Sequence, residues 1–287
     1  MNDLVSPAPD LIQRAMTDDG AFRVITARCT QTVRGALAAQ KATGQTARHL
    51  GDLITGSIMI RETMAPGLRV QGILKRTKTP GYLLGDAHPS GKSRGLVGGT
   101  LKGEFQIQNA MLQMMRTLQD GSIHQGVVSV PDSGTVSDAL MAYMQESEQI
   151  TTMIVAGTLL EEEHVVAAGG YLIQLLPGAP VGPLAVMTAR LDDFSQLDRV
   201  LGNPDFSPEW LMSELLYGMP YTELGQAPLE YDCWCSRTSV LGALASLNRS
   251  EVQSMVEDGD VLEISCDYCA TEYRVSPAEL QGLLNKN

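Results

Sequence analysis

Cys233-Trp234-Cys235, followed thirty residues later by Cys266-Asp267-Tyr268-Cys269, decides how the rest of the chain is read. Only one other cysteine, Cys29, occurs anywhere in the 287 residues. A C-x-C arm and a C-x-x-C arm brought together offer four thiolates, the tetrahedral all-sulfur donor set that Zn²⁺ favours. One or two residues between ligands let each arm grip an ion from a single turn, while the long insert folds on its own. Cys233, Cys235, Cys266 and Cys269 therefore read as zinc ligands, and Zn²⁺ is the one cofactor expected.

The surrounding residues have the signals of a small folded module. Ser236–Leu247 reads as a helix with Val240, Leu241, Leu244 and Leu247 on one side. Ser250 and Gln253 have capping-box spacing and predict a second short helix, Glu251–Glu257, ended by Gly259. Val261–Ser265 and Thr271–Val275 read as strands on either side of Cys266 and Cys269. Ser276-Pro277-Ala278-Glu279 combines an N-cap, a proline at the first helical position and a capping-box glutamate, and opens a terminal helix.

Such a module, about 55 residues long, has a thin core, in the size range where metals act as staples. Thiolates are also the form that oxidants attack, and a disulfide sulfur is no longer an anionic ligand. A C-x-x-C arm closes on itself readily, and a C-x-C arm does so with more strain. Spacing alone leaves two readings open: a redox switch, or a zinc staple with no redox role.

The totals bound the remainder. The length allows one large core and a small second domain. Apolar content of 44% is ordinary for a globular chain, and no apolar run approaches the ~18–20 residues that cross a bilayer. The start, Met1-Asn-Asp-Leu-Val-Ser-Pro-Ala-Pro-Asp10, has no basic segment followed by an apolar one, so no signal peptide is read there. A cytoplasmic location is expected, where thiols stay reduced and the quartet reads as a metal site before it reads as disulfides. The net charge of −12 argues against nucleic acid. From Glu230 onward ten acidic residues face only Arg237, Arg249, Arg274 and Lys286, a surface that repels phosphates.

Before the cysteines the signals alternate between sheet and helix, which predicts an α+β core and not regular βαβ units. Ala21–Cys29 reads as a first strand, with Cys29 a small buried residue. Ala36–Lys41 and Thr46–Met64 read as helices, the second with Thr46 as N-cap and Leu50, Leu53, Ile54, Ile58 and Ile60 on a broad apolar face. Gly51 and Gly56 either weaken it or let a neighbour pack closely. Strand signals follow at Leu68–Leu74, Tyr82–Gly85 and Leu96–Val97. Gly91-Lys92-Ser93 resembles the end of a phosphate-binding loop, but Asp86 stands where the first glycine belongs, so a hairpin turn is read. Met111–Leu118 and Ile123–Val130 flank Asp120-Gly121, a hairpin cue, with Met111, Met114 and Met115 read as packing. A helix over Thr135–Gln149 and strands over Thr152–Leu160 and His164–Leu176 complete the core. The four histidines, 49, 88, 124 and 164, are scattered, and no nucleophile–base pattern marks an enzyme.

From Pro177 to Asp232 the composition changes, and half of the fourteen prolines fall there. Two short amphipathic helices, about Val186–Leu201 and Pro208–Tyr217, need a surface to bury their stripes. The segment reads as a docked linker of low local stability.

Three features together resemble a known family: Ser147-Glu148-Gln149, the run Ala167-Ala-Gly-Gly-Tyr-Leu-Ile-Gln-Leu-Leu-Pro177, and the C-x-C–30–C-x-x-C spacing. They are similar to the redox-regulated holdase chaperones, the 33 kDa chaperonins. The resemblance implies an N-terminal core over 1–178, a metastable helical linker over 179–231 and a C-terminal zinc domain over 232–287. It implies a monomer when reduced, with all four cysteines on zinc. It further implies that oxidation closes Cys233–Cys235 and Cys266–Cys269, releases zinc, unfolds the linker and yields a homodimer that holds unfolding client proteins without ATP. The rival expectation is a zinc-stapled adaptor that binds one folded partner and has no redox activation.

Overall fold

A computed structural model describes residues 8–77, 80–101, 103–131, 134–194 and 196–284, so Met1–Pro7 and Lys286 of the sequence reading lie outside it. The chain divides into two compact units, Met1–Asp232 and Cys233–Asn287.

The first unit begins with strands β1 (Leu11–Thr17) and β2 (Phe22–Arg28) and helices α1 (Thr30–Gln40) and α2 (Gly44–Glu62). Strands β3 (Val70–Arg76), β4 (Tyr82–Ala87), β5 (Lys92–Gly98), β6 (Ala110–Thr117) and β7 (Ile123–Ser129) follow. After α3 (Val136–Glu146) the chain returns through β8 (Thr152–Glu161) and β9 (His164–Leu175). It then runs through α4 (Val181–Asp193), α5 (Leu197–Leu201), α6 (Pro208–Leu215), β10 (Tyr221–Pro228) and β11 (Glu230–Tyr231). One sheet has the order β10-β1-β2-β9-β8 and the other β11-β5-β4-β3-β6-β7. The α+β class expected from the sequence is the one observed.

α2 lies between the two sheets because it is apolar nearly all round, the pattern of a buried helix. Leu50, Leu53, Ile54, Ile58, Met59 and Ile60 are all buried. Glycines set how closely it approaches each side. A Cβ on Gly51 would fall on Thr158 of β8, and one on Gly85 of β4 would come within 2.9 Å of the Leu53 carbonyl oxygen. Close packing is thus what Gly51 does. Gly56 likewise leaves room for Leu140 of α3.

Several boundaries differ from expectation for local reasons. α1 starts at Thr30, six residues before the predicted Ala36, and Cys29 before it has no capping side chain. The cap comes from Asp10 instead, whose carboxylate accepts from the N–H groups of Gln31 (3.1 Å) and Thr32 (2.6 Å) and from the Thr32 hydroxyl (2.7 Å). Thr43, not Thr46, is the N-cap position of α2. Thr46 is buried in the first turn and accepts from the Phe105 N–H at 2.8 Å. Gly91 turns the β4–β5 hairpin at φ +86°, as predicted, and Lys92 opens β5. Of the three methionines read as packing, Met114 is buried, Met115 half-buried and Met111 exposed.

The segment after β9 is only partly helical. The single helix predicted over Val186–Leu201 is two, α4 and α5. α6 begins as predicted, with Pro208 at its first position and Ser207 Oγ accepting from the Trp210 N–H at 3.1 Å. Leu197, Leu201, Leu211, Met212 and Leu215 of these helices pack with Ala15, Phe22, Val24, Tyr171 and Ile173 on one face of the first sheet. β1, β10 and β11 are strands not foreseen from the sequence, so the strand read as first at Ala21–Cys29 is the second; β10 and β11 add to the edges of β1 and β5.

In the second unit α7 (Arg237–Ala245) and α8 (Arg249–Asp258) precede the hairpin β12 (Leu262–Ser265) and β13 (Glu272–Val275), and α9 (Pro277–Leu284) follows. The cap of α8 sits two residues before the predicted Ser250: Glu251 accepts from the Asn248 N–H at 3.0 Å. The Ser276–Glu279 box forms as predicted, Glu279 accepting from the Ser276 N–H at 3.0 Å. Gly259 ends α8 at φ +73°. The buried core of the unit is Leu244, Val252, Val275, Leu280 and Leu284.

Candidate metal centre

The two cysteine arms are held by different local devices. Cys233 and Cys235 lie on the extended stretch before α7, whose N-cap Ser236 accepts from the Ser239 N–H at 3.1 Å. Cys266 and Cys269 lie in the turn of the β12–β13 hairpin. That turn is closed by the Cys266 N–H on the Thr271 carbonyl (2.9 Å) and the Ala270 N–H on the Cys266 carbonyl (2.8 Å). Ala270 adopts φ +57°, which reverses the chain directly after Cys269.

The four sulfurs converge within 4.8 Å of one another. Cys233 Sγ lies 3.8 Å from Cys266 Sγ, and Cys235 Sγ 3.5 Å from Cys269 Sγ. Four sulfurs at about 2.3 Å from a tetrahedral ion stand about 3.8 Å apart, so this donor set could hold one metal ion. All four residues singled out from the sequence are brought together.

Two residues missed from the sequence complete the surroundings. Tyr273 Oη donates to Cys235 Sγ at 3.1 Å, and Thr271 Oγ1 lies 3.1 Å from Cys269 Sγ. Burial works against ionisation of Cys269, but bonds from the hydroxyl and N–H of Thr271 and from Cys235 and Cys233 together lower its thiol to about 7. Burial raises Cys235 above the ordinary thiol range in spite of the Tyr273 bond. The same bond is the first cause that pushes the Tyr273 phenol up to about 12. The only sequence cue for either residue was position, just after Cys269.

Residues 10–276 match the family model described as Hsp33 protein. The chain belongs to the Hsp33 family. A 33 kDa chaperonin of Citrifermentans bemidjiense is 29% identical to it, over 96% of this chain and 97% of its own. One of Geobacillus kaustophilus is 28% identical over 96% and 97%. The crystal structure of the 33 kDa chaperonin (heat shock protein 33 homolog) of Thermotoga maritima superposes with a TM-score of 0.81 at 20% identity, over 97% of this chain and 99% of that one. At that identity the likeness speaks for the fold.

Membership places the chain among chaperones and gives the cysteine cluster its context. The fifth thiol of this Hsp33-family chain, Cys29, is fully buried at the start of α1. Burial first, and the nearby Asp10 charge second, push it far above the ordinary thiol range; it is the small buried residue read from the sequence. No helix among the described residues is long and apolar enough to cross a membrane.

Proposed function

We propose that the chain is an ATP-independent holdase, a binding protein without turnover, switched on by oxidation of a zinc-bound Cys233, Cys235, Cys266 and Cys269. The convergence of the four sulfurs within 4.8 Å, in a unit with five buried core residues among those described, carries the reading. Structural zinc contributes ~10–16 kcal/mol of apparent binding free energy, against ~5–15 kcal/mol for the whole stability of a typical domain. Loss of the metal therefore unfolds the unit. Each disulfide forms as one molecule of peroxide takes two electrons from two thiolates and two protons are taken up, leaving two waters. The pairs Cys233–Cys235 and Cys266–Cys269 follow from the family likeness. Peptide mapping distinguishes them from the cross-arm pairs that lie at 3.8 and 3.5 Å.

The consequence for binding lies in residues 179–231, which act as the metastable linker between a core over 1–178 and a zinc domain over 232–287. In α4 only Met187 is buried, and Val181, Leu184 and Val186 are exposed. A helix with so little burial has low local stability. Its release with α5 and α6 uncovers Phe22, Val24, Tyr171 and Ile173, an apolar sheet face on which unfolding polypeptides bind. The reduced protein is a monomer of the cytoplasm, where its thiols stay reduced, and the oxidised one a homodimer; neither nucleic acid nor membrane is a partner.

Light scattering of a thermally unfolding client tests the reading. The peroxide-treated, warmed protein suppresses scattering and has released one equivalent of zinc; the reduced protein does neither. Equal suppression in both states removes redox activation; no zinc release on peroxide and mild heat, with a single stoichiometric folded partner in pull-downs, favours the zinc-stapled adaptor.

A further inference from the structure

β10 is a strand held mainly by its backbone. It pairs antiparallel with β1 from Thr17↔Tyr221 to Leu11↔Pro228, yet none of its side chains is buried. Its one large aliphatic residue, Leu224, is 50% exposed. The ladder is also interrupted: the register passes from Arg14↔Gly225 to Ala15↔Glu223, so Leu224 is the extra residue of a bulge, beside Gly225 at φ +131°.

β1 is the opposite case. Ile12, Gln13, Ala15 and Thr17 are buried, and its other edge is bonded to β2 from Leu11↔Arg28 to Met16↔Arg23. It therefore stays in the sheet whether or not β10 does. The net gain from one backbone hydrogen bond does not exceed the entropic cost of ordering one residue. Beyond the ladder β10 gains only the partly buried Tyr221 and Ala227 and the side-chain bonds of Thr222 to Asp18 and Gln226 to Glu209, too little burial to hold it alone. β10 remains in place because the chain is docked on both sides of it, by α6 before and by β11 after.

We propose that β1 is a strand receptor: once β10 leaves, an extended segment of an unfolding polypeptide takes its place as an added antiparallel strand. The native occupant shows what this edge accepts. Tyr221-Thr-Glu-Leu-Gly-Gln-Ala-Pro228 is mixed in character and buries no side chain fully; only Tyr221 and Ala227 pack, partly buried, against the core. The edge therefore reads main chain and is indifferent to sequence, the property required for unrelated clients. An unfolding polypeptide supplies unpaired N–H and C=O groups over a run of this length, and a bare edge strand is a template for such a run. In the resting state β10 covers it.

This inference rests on the linker release proposed above, and one experiment on the full chain separates the two. Met16 and Thr222 are opposite each other in the register and both exposed, so Met16→Cys with Thr222→Cys staples β10 to β1 by a disulfide while α4 to α6 stay free. Stapled and unstapled proteins are treated with peroxide and heat and given reduced, carboxymethylated α-lactalbumin, which cannot refold. Zinc release, bound client and hydrogen exchange of the Leu11–Thr17 amides are read together. In the unstapled protein the β1 amides that face β10 exchange on the order of tenfold faster after activation and regain protection when client is held. The stapled protein releases zinc equally but holds several-fold less client. Full holding by the stapled protein overturns the inference, as does client held while the β1 amides stay unprotected; in both cases the redox reading stands. Absence of zinc release or of any holding in the unstapled protein defeats that reading, and this inference with it.

Discussion

The phenol of Tyr273 donates to the sulfur of Cys235 at 3.1 Å, from the strand that leaves the Cys266–Cys269 turn. A donor to a ligating sulfur orients it and draws off part of its charge, which keeps the thiolate in place and less open to oxidants. Tyr273→Phe is expected to weaken zinc ~10–100-fold. Competition with a chromophoric chelator measures the affinity, and the peroxide dose for half release of zinc falls in parallel.

Removing a ligand is more drastic than removing its partner. Cys266→Ser leaves three thiolates and takes away the sulfur 3.8 Å from Cys233. The second unit, with its small buried core of Leu244, Val252, Val275, Leu280 and Leu284, is then expected to lack the contribution of the metal and unfold. Far-UV circular dichroism of the variant shows the loss of α7 to α9, and the variant holds client in part while still reduced. A variant that stays folded and inactive breaks the link between metal and linker.

What could be read in advance divides by the range of the interactions. The cysteine spacing, the Ser276–Glu279 box and the Asp120-Gly121 hairpin are local, and each was legible. α1 was misplaced because its cap, Asp10, lies twenty residues upstream of the first helical position and meets it only in the folded sheet. β10 was missed because a strand with no buried side chain has no alternation to read. Tyr273 was missed because strand position alone does not say that its hydroxyl meets a sulfur contributed from 38 residues earlier.

The segment proposed as the linker has a core residue through which its docking can be loosened. Leu211 of α6 is fully buried in the cluster that joins α5 and α6 to the first sheet. Leu211→Ala removes ~2–5 kcal/mol from that packing and touches none of the four cysteines. Hydrogen exchange across residues 181–217 is expected to rise while zinc affinity is unchanged. Client holding then begins at a lower oxidant dose. Unchanged exchange across that segment shows that α6 is not what keeps the linker docked.

The acid limb of stability has an assignable contributor in Glu279. Arg237 lies 2.5 Å from its carboxylate, and the N–H and hydroxyl of Ser276 bond it at 3.0 and 2.8 Å. These contacts, the Arg237 bond first, lower its carboxyl from 4.5 to about 2. A carboxyl whose value is depressed on folding contributes stability that is present above its unfolded value and lost as the pH falls toward the folded one. Glu279→Gln removes the charge but keeps the side-chain length. The melting temperature of the zinc unit should therefore differ between the two proteins by a constant amount above about pH 5, and the gap should close toward about pH 2. Protonation of the cysteine thiolates is common to both proteins and cancels in the difference. A gap that does not change across that window assigns the acid sensitivity to the sulfurs and not to the cap of α9.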